Sequence, residues 1–208
     1  MRAVPLASGV LLLAALWIGP LPDLAPQSFT AHMTLHMGVV AVAAPLLALG
    51  LAGGRLDPAR AAPAIFSAIP AAVVELAVVW AWHAPALHHA ARESVVALVL
   101  EQGSFAAAGL LVWMAALGGG SVRQGNRAGT GVVALLLTSM HMTLLGALLA
   151  LAPRPLYHDR GGRAHAVALE DQHLGGAIML TVGGASYLLG GLLLSRRMLI
   201  VAGRGRVA

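Results

Sequence analysis

The chain has 208 residues, of which 59% are hydrophobic and only 10% charged, and its mean hydropathy is +0.83. Soluble domains hold about 45–50% apolar and about 25% charged residues, so the composition predicts an integral membrane protein. The absence of cysteine excludes disulfides, thiolate zinc sites and Cys-ligated copper within the chain. The net charge of +5 comes from arginines at the ends of apolar runs, with no aromatic-interleaved basic stretch, which argues for lipid contact rather than nucleic acid.

Six apolar runs follow in chain order, at roughly 3–19, 29–51, 61–82, 94–117, 130–152 and 171–195. Most approach the ~20 residues that a spanning helix needs. None shows the two-residue alternation of a β-barrel strand. The fold class expected is therefore an all-α bundle of about six transmembrane helices in a single domain, 1–208. The first run, within 1–28, reads as a span, with a signal peptide as the alternative. With the N-terminus inside, inner segments hold Arg2, Arg55, Arg60, Arg123, Arg127, Arg196, Arg197, Arg204 and Arg206. Outer segments hold Arg92, Arg154, Arg160 and Arg163. That partition follows the positive-inside rule and makes both termini cytoplasmic. Glycine-rich stretches such as "LGGAIMLTVGGASYLLGG" read as tight helix packing.

The second run opens with "TAHMTLHM". His32 and His36 stand at i and i+4, on one helix face, where two imidazoles can reach one ion. In the expected topology every histidine except His141 lies at or near the outer face. His36, Glu75 and Glu101 each fall about seven residues inside their spans, roughly 10 Å deep, and His141 roughly 16 Å deep. Asp171 and His173 open the last span. A charged group costs about 2.5–3.5 kcal/mol at a span centre on insertion scales, so each such residue is a site hypothesis. His83 joins this outward layer; His88, His89, His158 and His165 are expected in solvated loops. Each polar group also has a plain reading as a helix-to-helix hydrogen bond or a packing histidine. Met33 and Met37 follow the histidine pair, and Met140 and Met142 flank His141. Neighbours in sequence point about 100° apart on a helix, so these thioethers cannot all face the histidines' ion. Imidazole and thioether without thiolate suit copper better than magnesium or calcium.

These motifs resemble the cytochrome c oxidase assembly factors of the CtaG type. The stretches that carry the resemblance are "HMTLHMGVVAVAAPLLALG", "WAWHAPAL", "LEQGSFAAAGLLVW", "LLLTSMHMTLLGALLALAPRPLY" and "DQHLGGAIMLTVGG", in the family's order across most of 30–195. The resemblance implies a non-enzymatic assembly role at a bacterial inner membrane, with an oxidase subunit as partner, an extracytoplasmic copper donor, and copper as the metal handled. It carries over to His32, His36, His83, Glu101, His141, Asp171 and Gln172. The chain departs from the family at Gln102, where histidine is frequent, and at His173, where glutamine is usual. The expected metal ligands are His32, His36, His83 and His141. Glu75, Glu101, Asp171, Gln172 and His173 are expected to orient a ligand or complete the coordination. Met33, Met37 and Met142 are expected to form a soft route for Cu(I). Two alternatives stand beside copper. One is a haem-binding electron-transfer protein with His36 and His141 as axial ligands; the other is a metal-free scaffold. No nucleophile motif, phosphate loop or HExxH pattern is present.

Overall fold

The computed structural model describes residues 2–119, 124–157 and 164–204. His158, Arg123, Arg160, Arg163 and Arg206 lie outside them. Among the described residues every regular element is helical. They are α1 (Ala3–Ile18), α2 (Leu21–Leu24), α3 (Phe29–Met37), α4 (Ala44–Leu51), α5 (Pro58–Ala61), α6 (Ala68–His83), α7 (Pro85–Glu93), α8 (Val95–Leu117), α9 (Gln124–Ala150), α10 (His165–Ile178) and α11 (Gly184–Arg204). Two wide π-helical segments, Gly38–Ala43 and Met179–Gly183, join α3 to α4 and α10 to α11 without a break.

Four helices are long and apolar enough to cross a membrane: Phe29–Leu51, Val95–Leu117, Ala128–Ala150 and His165–Ile200. The bent pair α6 and α7 passes that test only when taken together. The expectation of six spans is met at four places. The other two, α1 and α6, have 16 residues each. At 1.5 Å per residue each reaches about 24 Å, against about 30 Å of hydrocarbon.

Local chemistry sets the helix ends. Ser28 caps α3 by accepting from Ala31 N at 3.2 Å, and Ser94 caps α8 through Ala97 N at 3.4 Å. The break after α6 comes from Pro85. The residue before a proline is driven out of the helical region, and Ala84 is accordingly extended (φ −64°, ψ 135°). The chain bends there by 72°, and α7 lies across the end of the bundle.

In lipid every backbone carbonyl needs a partner within the protein. Pro45, at the start of α4, has no N–H to offer the turn before it. The carbonyl of Ala41 in that turn instead accepts from Ser186 Oγ at 2.6 Å. Across the second π segment, Ser139 Oγ donates to Gly184 O at 2.8 Å. Small residues let the backbones approach. A Cβ placed on Gly146 would stand 2.5 Å from Leu180 N, and one on Gly176 would stand 2.4 Å from Ala150 N. The glycine-rich stretch therefore packs α9 against α10 backbone to backbone.

Candidate metal centre

The candidate site lies at the end of the bundle where α3 and α8 begin and α6 ends. α3 brings His32 and His36 there, 1% and 0% exposed. The end of α6 brings His83, α7 brings His88, and α8 brings Glu101; all three are buried.

His32 Nε2 donates to Glu101 Oε1 at 3.1 Å, and Gln102 Nε2 donates to the other carboxylate oxygen at 3.0 Å. The His83 ring donates from Nδ1 to Val79 O at 2.7 Å. A carbonyl only accepts, so His83 Nε2 keeps its lone pair, the tautomer following from the hydrogen bond. The His32 and His88 rings meet edge to face at 4.9 Å between centroids, and those of His36 and His83 lie 5.5 Å apart. One ligand atom each from His32, His88 and Glu101 fall within 4.8 Å of one another.

The nitrogens without partners define what the site can do. His32 Nδ1, both nitrogens of His36, His83 Nε2 and both nitrogens of His88 are buried with no hydrogen-bond partner. A buried polar atom left unpaired costs about 1–3 kcal/mol. Several such lone pairs converging beside a carboxylate form a donor set suited to a metal that accepts imidazole.

Aromatic rings and a tied loop close the outer side. Tyr157 lies over His88 at 4.0 Å and stacks on Phe29 at 5.1 Å. Its hydroxyl donates to His83 O at 2.9 Å. Burial, with the Glu101 charge adding to it, pushes that hydroxyl above the ordinary tyrosine range and keeps it a donor. Arg92 on α7 donates from Nε and Nη2 to Pro26 O at 3.1 and 2.8 Å.

Several expected ligands are engaged elsewhere. Glu75 lies eight residues before His83 on α6, about 12 Å deeper, and not on the level of His36 and Glu101. Its carboxylate accepts from Thr138 Oγ1 at 3.0 Å and from Tyr187 OH. His141 is buried on α9 with neither nitrogen partnered, and has no ring contact with the four clustered histidines. Asp171 serves α3: its carboxylate accepts from Phe29 N at 2.8 Å, Thr30 N at 3.0 Å and Ser28 Oγ at 3.0 Å. Gln172 accepts from Leu156 N at 2.7 Å and donates to Leu149 O at 3.2 Å. His173 Nε2 donates to Ala152 O at 2.9 Å. These three residues fasten α10 to α3 and to the segment after α9.

The methionines also face away from the imidazoles. Met33 packs where a Cβ on Gly175 would meet it, while Met37 Sδ and Met142 meet at Gly183. They fill the seam against α10 and its π segment, and Met140 is 68% exposed.

The main addition to the sequence reading is His88. Expected in a solvated loop, it is 1% exposed and central to the cluster. The signal for it was present in "HAPALH": a proline just after His83 breaks the helix and lets the next turn fold back over the same pocket.

The profile of the family described as cytochrome c oxidase caa3 assembly factor matches residues 1–199. No curated protein and no solved structure matches the chain. Since the match covers nearly the whole sequence, the chain belongs to the cytochrome c oxidase caa3 assembly factor family.

Proposed function

We propose that this protein serves oxidase assembly by holding copper in the cluster of His32, His36, His83, His88 and Glu101 and passing it to an oxidase subunit. The observation that carries this reading is the group of His32, His88 and Glu101, with ligand atoms within 4.8 Å of one another. Ligands about 2 Å from a shared ion stand roughly 3.3–3.5 Å apart, so the three side chains need to close by at most about 1.5 Å. A site one small movement short of closure suits an ion that is taken up and released. In this reading six segments cross a bacterial inner membrane with both termini cytoplasmic. The cluster then faces outward, toward an extracytoplasmic copper donor and the oxidase.

The test is Cu(I) titration of the purified protein in detergent against a chromophoric competitor. The parent should bind copper, and the His32→Ala/His36→Ala/His83→Ala/His88→Ala variant should bind it at least tenfold more weakly. Equal affinity in parent and variant would sink the assignment. A Soret band in the purified protein would favour haem on His36 and His141 instead. Oxidase activity that survives the variant would favour a metal-free scaffold.

A further inference from the structure

The cluster holds more donors than one ion needs, and it is built in two layers. Each of three chain segments supplies one residue to each layer. The outer layer is His32 from α3, His88 from α7 and Glu101 from α8. One turn deeper lie His36 from α3, His83 from the end of α6 and Phe105 from α8. The spacing of four residues on both α3 and α8 sets the layers about 6 Å apart. The ring contacts follow the same division: His32 meets His88 at 4.9 Å, and His36 meets His83 at 5.5 Å. Phe105 packs on His36 at 3.7 Å and lies 6.5 Å from His83. The outer layer carries the His–carboxylate contact of His32 with Glu101, at 3.1 Å.

We infer that the cluster is two metal positions in series: an outer site of His32, His88 and Glu101, and an inner site in which His36 and His83 hold one monovalent d10 ion between them. The inference rests on the copper reading above and extends it to stoichiometry and ion charge. Both inner rings are buried, and each has at least one nitrogen without a partner. Two nitrogens each about 2 Å from a shared ion lie about 4 Å apart, a separation that rings 5.5 Å apart reach by rotation. The inner layer has no anionic donor and one aromatic wall. A divalent ion there would have no anion among its own ligands, with Glu101 a layer away, whereas Cu(I) or Ag(I) accepts two neutral donors. The outer layer, with Glu101, can take a divalent ion as well. Transfer between layers needs no redox step: one imidazole binds as another leaves, and the ion moves by about one helical turn.

Metal stoichiometry of the full chain in detergent tests this, with Cu(I), Ag(I) and Zn(II) as separate probes. The parent should bind two Cu(I) or two Ag(I) per chain but one Zn(II). His36→Gln/His83→Gln should keep one Cu(I) and the Zn(II). His32→Gln/His88→Gln should keep one Cu(I) and lose the Zn(II). Gel filtration and thermal unfolding establish that each variant is folded, and the parent stoichiometry decides even where a variant is not. A single Cu(I) per chain, lost in either variant, would overturn the two-site inference while leaving the copper reading standing. Two Zn(II) per chain would overturn the charge assignment of the inner site. No copper bound at all would remove both.

Discussion

Replacing Asp171 by alanine should loosen the helix that carries the first two histidines, without removing a metal ligand. The carboxylate accepts from Phe29 N, Thr30 N and Ser28 Oγ, each at 2.8–3.0 Å. Two of these donors are first-turn N–H groups of α3, which have no partner within the helix. The negative charge also sits at the positive end of the helix dipole. Taking about 0.5–1.5 kcal/mol net for each bond lost, Asp171→Ala should cost about 2–4 kcal/mol. Asp171→Asn keeps one acceptor oxygen and should cost about half as much. Unfolding in mixed detergent micelles, followed by circular dichroism, gives the stability. Hydrogen exchange at Phe29 and Thr30 gives the local effect. Copper stoichiometry should not change in Asp171→Asn. A stability loss below about 0.5 kcal/mol, unchanged exchange at both amides, or a lost copper ion in the asparagine variant would refute this account.

Further outcomes at three positions follow from the packing. Gly176→Ala places a Cβ against Ala150 N and should cost about 1–3 kcal/mol as an overpacked crossing, read as a lower melting temperature in detergent. Tyr157→Phe keeps the ring over His88 but loses the bond to His83 O, at about 1 kcal/mol. Tyr157→Ala should in addition speed modification of His88 by diethyl pyrocarbonate, measured by peptide mass spectrometry. His141→Ala should leave Cu(I) stoichiometry and affinity at parent values, because its ring stands apart from the cluster; lost copper would return it to the site.

Much of the fold was legible because lipid allows few solutions. The runs 29–51 and 94–117 end where caps and glycines end the helices, and His32 and His36 are both buried one turn apart on α3, each beside a different histidine. What escaped the sequence reading depended on distance along a bent chain. Depth counted from span ends placed Glu75 level with Glu101, but α6 ends beside Phe105, one turn deeper than Glu101, so the eight residues back from His83 carry Glu75 well below the cluster. His88 was misplaced because a proline was read as the end of a span and not as a fold back over it. Asp171, Gln172 and His173 look like ligands in sequence, since cluster chemistry and helix-tying chemistry use the same residue types. Only the identity of their partners, backbone amides and carbonyls, separates the two uses.

The tie between Asp171 and α3 spans 142 residues from Phe29 N. His32 and His36 are made early in synthesis, but the carboxylate that holds the first turn of their helix comes only with α10. A ribosome-bound chain lacking α10 would carry every donor of the cluster without the frame that aims them. On the copper reading proposed above, a prematurely terminated chain should therefore be a poor competitor for the ion.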